Sequence, residues 1–247
     1  MNYYQELCLA PIFNLNRFRK TGFLCDVELK SVFSPEPVKV HSYVLASFSE
    51  FFTNIFQGEF QDNKSTTIEI ELNPDNLFMK VIDWMYTGQL TFKNDELMPL
   101  YYISHFYNIP KLKEKLREEY QKLIKTNLLY FVVQLDNQGL NEGISLLYSD
   151  IARHLDQAES DDARQKLISE LSSHLFCQQF PAVIEESVKI NPSADKSRYV
   201  TWIDWFYGDY EGLNEEKEYL TNCVNQLGDS SVRNALHKGT HPWFLTK

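Results

Sequence analysis

Alternating apolar and polar positions give the first readable element: in the stretch LCDVELK, Cys25, Val27 and Leu29 fall on one side and Asp26, Glu28 and Lys30 on the other. That period of two predicts a strand with one buried face. Val38 and Val40 resume the pattern after Ser-Pro-Glu-Pro, which reads as a turn, so two paired strands are expected. The period then lengthens. Phe48, Phe51, Phe52, Ile55 and Phe56 recur at helical spacing, with Ser47 or Ser49 placed to cap the first turn. Thr-Thr-Ile-Glu-Ile-Glu-Leu alternates again, burying Ile68, Ile70 and Leu72 and exposing Glu69 and Glu71. Asn73 and Pro74 then read as N-cap and first residue of a helix striped by Leu77, Phe78, Val81, Ile82 and Met85 and ended by Gly88. Residues 96–124 read as two helices broken at Pro110.

From Lys125 onward only helical patterns recur: LLYFVVQL, EGISLLYSDIARHL, ARQKLISELSSHLF, SRYVTWIDWF and EKEYLTNCVNQL. Asn-Gln-Gly and Asn-Pro-Ser mark the clearest turns between them. Strands are thus expected in the first half alone, giving an α+β domain over residues 1–125 followed by an all-helical region over 126–247. Charge sharpens that division. The first half carries 14 basic and 16 acidic side chains, and the second 10 and 18, within a formal net charge of −10. So acidic a chain is not expected to neutralise nucleic-acid phosphates or to be drawn to anionic membranes.

The four cysteines, Cys8, Cys25, Cys177 and Cys223, are scattered without a Cys-x-x-Cys pair, so neither a zinc site nor a disulfide framework is predicted. The opening MNYYQELCLAPIF has no basic region followed by an apolar run. An intracellular protein of cytoplasm or nucleus is the expectation. No phosphate-binding Gly-rich loop, His-Glu-x-x-His or Gly-x-Ser-x-Gly occurs, and no enzyme activity or cofactor is predicted.

The first half resembles the BTB/POZ family of protein-interaction domains. The resemblance runs from about Leu15 to Ile124 and rests on ordered motifs: LNRFRKTGFLCDV, VHSYVLASFSEFF and WMYTGQL. It implies a small β-sheet flanked by helices. It also implies that Asp26 and His41 are structural rather than an acid and base pair. The second half resembles, more loosely, the helical BACK region that follows BTB in kelch-like proteins. One internal echo needs an answer: VIDWMYTGQL at 81–90 returns as TWIDWFYGDY at 201–210. No Cys-Asp-Val strand or His-x-x-Val-Leu-Ala segment precedes the second copy, so the domain itself is not duplicated.

Function follows from three surfaces. Ile12, Phe13, Leu15 and Phe18 give the opening helix apolar residues that favour burial against a second copy, so a homodimer is expected, with Pro11 shortening that helix. The resemblance implies a docking site for a cullin-3-type scaffold at Phe60, Gln61 and Asp62, where the family carries hydrophobic-x-Glu, with Phe56, Gln57, Tyr107 and Ile109 as neighbouring contacts. The charged pocket used by transcriptional BTB repressors needs a base just after the His, and Ser42 stands there. Nine glycines without a Gly-Gly doublet predict no kelch propeller within these residues. The resulting expectation is a homodimeric, non-enzymatic adaptor that brings an unknown substrate protein to a cullin-type RING ubiquitin ligase. The rival expectation is a BTB dimerisation scaffold, or a transcription or signalling regulator, that binds no cullin.

Overall fold

The computed structural model describes residues 14–31, 34–58, 66–208 and 214–225. The chain forms two compact units, residues 1–125 and 126–247. In the first, β1 (Val27–Ser31) lies between β2 (Ser34–Val40), which pairs with it antiparallel, and β3 (Thr66–Glu69), which pairs parallel. The register sets Val27 opposite Val40 and Leu29 opposite Ile68, so the alternating apolar residues gather on one face, where all four are buried. Lys30, Lys39 and Glu69 occupy exposed positions between them.

The segment Ser-Pro-Glu-Pro is strand rather than turn, since β2 already begins at Ser34. Its edge position accommodates the prolines. The C=O of Val40 accepts the N–H of Asp26 at 3.2 Å, so Val40 and Val38 turn their backbone groups toward β1. Pro37 then faces the free edge, where a missing N–H removes no ladder bond.

Helix α1 covers residues 14–21 among those described. The expected aromatic helix is two helices, α2 (Ser42–Phe48) and α3 (Glu50–Gly58), because Ser49 between them is extended, with φ −137° and ψ 122°. Ser49 does serve as a cap: its Oγ accepts the N–H of Phe52 at 3.2 Å and donates to the C=O of Tyr107 at 2.6 Å. Helix α4 runs Phe78–Thr87 and starts later than Pro74 predicts. Asp75 and Asn76 take the left-handed conformation, φ 48° and 61°, and confine Pro74–Asn76 to a 3₁₀ turn. Asn73 still caps, its Oδ1 accepting the N–H of Phe78 at 2.8 Å. Gly88 closes α4 at φ 69°, as its type predicts.

Helices α5 (Leu97–Phe106) and α6 (Pro110–Asn137) follow, Pro110 being the first residue of α6. Between them Tyr107 drops into the core. Its ring lies 4.7 Å from Phe78 and 5.7 Å from Phe52, centroid to centroid, and its hydroxyl accepts the N–H of Leu72 at 3.0 Å. Burial pushes the Tyr107 phenol up to about 12, against the hydrogen bond to the Leu72 backbone.

In the second unit α6 is interrupted at Asn127 (φ −128°, ψ 20°) and ends with Gly139 at φ 68°. A 3₁₀ stretch, Asn141–Leu147, replaces the start of the helix read from the sequence. It leads into α7 (Tyr148–Gln157), α8 (Asp161–Ser172), α9 (Phe180–Ile190), α10 (Ser197–Tyr207) and α11 (Asn214–Asn225). Helix α9 was not among the predicted patterns, although Phe180, Val183, Ile184 and Ser187 form its buried stripe. Phe180 stacks on Phe206 of α10 at 4.0 Å. Asp156 of α7 pairs with Arg198 of α10 and accepts the Ser187 hydroxyl at 2.8 Å, while the guanidinium lies 4.8 Å from the Trp202 ring centroid. No strand occurs among the described residues of 126–247.

Replacing Gly88 by Ala places a Cβ on a left-handed residue, and urea unfolding should show a loss of about 1 kcal/mol. Tyr107 yields a pH signature. Its contribution to stability is fully present below the unfolded value of 10.0 and is lost as pH rises toward about 12, because the unfolded chain ionises first. Unfolding measured across that window should fall less steeply for Tyr107→Phe, by about 1.4 kcal/mol per pH unit.

Candidate functional site

The C-terminal end of α1, the turn into β1 and the start of α2 form one locality, organised around Tyr86 of α4. The Tyr86 hydroxyl accepts the backbone N–H of His41 at 2.8 Å and lies 2.7 Å from His41 Nδ1. With the phenol donating to Nδ1, the ring proton sits on Nε2 and reaches the C=O of Phe23 at 3.1 Å. Burial drives the Tyr86 phenol far above its ordinary value, so it remains a donor at any physiological pH. The guanidinium of the buried Arg19 lies 5.0 Å from the Tyr86 ring centroid, pairs with Asp83 and accompanies Asn16 Oδ1 at 3.2 Å. His41 thus bonds through its backbone N–H and both ring nitrogens within this locality. Asp26 holds the start of α2, its carboxylate accepting both the N–H and the hydroxyl of Ser42.

Around this support lies an apolar surface that the sequence reading did not collect. Leu24 is 72% exposed, Tyr43 56% and Phe23 54%. Phe23 packs edge-on against Phe18 at 5.0 Å, and Tyr43 lies 5.7 Å from the His41 ring. Leu24 adopts φ 56°, an unusual conformation for a branched side chain that turns it outward. Leu15 and Phe18 are half-buried on α1. Ile12 and Phe13 lie outside the described residues. Strand periodicity concealed Leu24, because it stands three residues before β1 and belongs to neither face.

The second locality is the end of α3 with the α5–α6 turn. Phe56 is half-buried and stacks on Phe52 at 6.4 Å, and Gln57 is exposed. Phe60 and Asp62 lie outside the described residues. Tyr107 and Ile109 do not lie on a contact surface: they are 1% and 0% exposed, and their side chains belong to the core. The residue that reaches solvent at this turn is Phe106, 39% exposed, with its ring 4.9 Å from Tyr107 and 6.4 Å from Phe51. Asn108, at φ 44°, makes the reversal and donates to Glu50 of α3 at 2.6 Å, tying turn to helix. One position in a run of aromatic residues decides which ring faces out, and sequence spacing alone does not fix it.

Other chemistry is sparse. Burial and the adjacent Asp26 push the Cys25 thiol up, away from the reactive thiolate. Among the described residues no three His, Cys, Asp or Glu side chains converge as a metal site, and no helix is long and apolar enough to cross a membrane.

These two surfaces sit on a fold whose relatives can be identified. The chain is 22% identical over 222 residues to the kelch repeat protein M-T8 of myxoma virus (strain Lausanne), covering 88% of this chain and 39% of that protein. It is 30% identical over 86 residues to mouse kelch-like protein 3, covering 35% of this chain and 14% of the relative. It therefore spans less than two fifths of the length of these relatives. Among solved structures, the BTB domain of zebrafish PATZ1 superposes with a TM-score of 0.43 at 23% identity, over 49% of this chain and 98% of that one. The sequence profile of the BTB/POZ domain matches residues 15–123, and with the mixed three-stranded sheet and its helices, those residues are a BTB/POZ domain.

Proposed function

We propose that the protein is a non-enzymatic adaptor whose BTB domain pairs with a second copy and docks a cullin-3-type scaffold of a RING ubiquitin ligase. In this reading residues 126–247 form a BACK-like helical module. Kinship with kelch-like proteins supports the class of function. The observation that carries the cullin surface is the continuous aromatic run from exposed Phe106 through Tyr107 and Phe52 to Phe56, at the end of the helix leading to Phe60 and Asp62. Phe60 supplies an aromatic anchor of the kind that dominates binding energy. Phe56 and Gln57 precede it on α3, while the buried Tyr107 and Ile109 support that helix end from the core. Asp62 retains the family's negative charge on a side chain shorter by one methylene. That difference supports the alternative, a dimerising scaffold without a cullin. A corepressor role is the least supported, since Ser42 stands where the family's base would and itself engages Asp26.

The self-association face joins Leu15 and Phe18, with Ile12 and Phe13 upstream, to the exposed Phe23, Leu24 and Tyr43. An apolar patch of this extent favours burial against a like patch, and a two-fold axis makes one surface serve both copies.

Calorimetric titration with the N-terminal region of a cullin-3 scaffold should show micromolar or tighter binding that Phe60→Ala weakens by about 2 kcal/mol. A folded dimer that shows no heat or shift with this ligand would leave the scaffold reading in place. For the dimer, sedimentation of Leu24→Glu should give a monomer whose circular dichroism spectrum matches the parent, because the side chain is exposed in the free chain and a charge there opposes only pairing. A Leu24→Glu protein that still dimerises at the parent concentration would remove this face from the interface.

A further inference from the structure

Two helices contribute to the proposed self-association face, α1 with its following turn and α2, and one buried side chain contacts a residue of α1 and the N-cap of α2. Tyr86 offers two separate surfaces. Its ring faces the Arg19 guanidinium of α1 at 5.0 Å, and its hydroxyl takes the His41 N–H at the N-cap of α2 at 2.8 Å. The His41 ring, oriented by the same hydroxyl, bonds the C=O of Phe23, the residue between α1 and Leu24. The exposed apolar side chains Phe23 and Tyr43 therefore flank a His whose backbone N–H and Nδ1 meet the same phenolic oxygen.

We infer that Tyr86 is the positioning residue of the self-association face, fixing the separation of the α1 end from the start of α2 through its ring on one side and its hydroxyl on the other. The inference rests on the proposed dimer and adds to it a residue that never touches the partner. Tyr86 is fully buried in the free chain, so it can act only by setting where Phe23, Leu24 and Tyr43 stand. Arg19 takes part for the same reason. Its partner Asp83 is exposed and water-screened, so the pairing charge alone holds it weakly, and the ring face and Asn16 complete its seating.

The test compares the full chain with Tyr86→Phe and with Tyr107→Phe. Both substitutions remove one buried phenolic hydroxyl that accepts a backbone N–H within the same unit, from His41 and Leu72 respectively. Each should lower the thermal midpoint by a similar amount. Dimer dissociation constants from sedimentation should separate them: Tyr86→Phe should weaken pairing about tenfold, and Tyr107→Phe should leave it within about twofold. Arg19→Lys keeps the charge but loses the planar fork, and it reads the same linkage should Tyr86→Phe fail to fold; it too should weaken pairing. Equal effects of the two Tyr variants, or none, in a protein that dimerises would overturn the inference while leaving the dimer. A parent chain that stays monomeric at about 100 µM would overturn both, since that concentration lies far above the dissociation constant of a specific dimer.

Discussion

A phenol taken out of water keeps its need for hydrogen bonds, and the first unit is arranged around meeting that need at Tyr86. Its hydroxyl serves as acceptor for the His41 N–H and lies within bonding distance of His41 Nδ1. Leaving a buried donor without its partner costs about 1–3 kcal/mol, so each bond constrains the backbone that carries it. His41 stands where β2 gives way to α2, which makes the end of the sheet and the start of a helix depend on a side chain from α4. The His ring passes the constraint to Phe23, and Arg19 passes it to α1. A surface carried by α1 and its following turn is thus set from α4.

The same logic works at the second locality with a different outcome. Tyr107 turns inward and its hydroxyl is satisfied by Leu72, which leaves the neighbouring Phe106 to occupy the surface. Asn108 makes that exchange possible, because Asn tolerates the left-handed conformation and its amide reaches Glu50. Ser49 contributes from the other helix by donating to the Tyr107 C=O. Two short polar side chains, Asn108 and Ser49, therefore decide which aromatic residues are core and which are available to a partner. Electrostatics decides little here, since the cluster is bound by burial and by backbone bonds.

Much of this was legible in the sequence where periodicity and end signals agree. Val27, Leu29 and Ile68 were readable as one sheet face, and Gly88 as a helix end, because alternation and the freedom of Gly each act locally. The extension of β2 through Pro35 and Pro37 was not, since proline reads as turn unless the strand is known to lie at an edge. The delay of α4 to Phe78 depends on the left-handed Asp75 and Asn76, and nothing in a polar pair announces that. For the candidate site, the sequence identified α1 and the end of α3 but not the side chains that reach solvent. Exposure of Leu24 or Phe106 depends on how neighbouring rings fill a core, a property of several elements at once. Helix α9 carries an ordinary apolar stripe that was not read as a helix, and Pro181 sits in its first turn, where a missing N–H costs no helical bond.

The recurring Ile-Asp-Trp string shows what such likeness does and does not carry. Both copies are helical, in α4 and α10, and both bury the Ile and the following Tyr. Their polar partners share nothing. Asp83 meets Arg19 and Tyr86 meets His41, whereas Asp204 lies 3.1 Å from Lys217 and the Tyr207 hydroxyl donates to the Cys177 C=O. Helical period explains the resemblance: Ile and Tyr four residues apart fall on one buried stripe, and the Asp between them falls toward solvent, where a cation of any neighbouring element can reach it. The string encodes a way of burying a helix with aromatic residues. What it supports is chosen by the element packed against it, so the first copy positions a surface and the second closes a helical core.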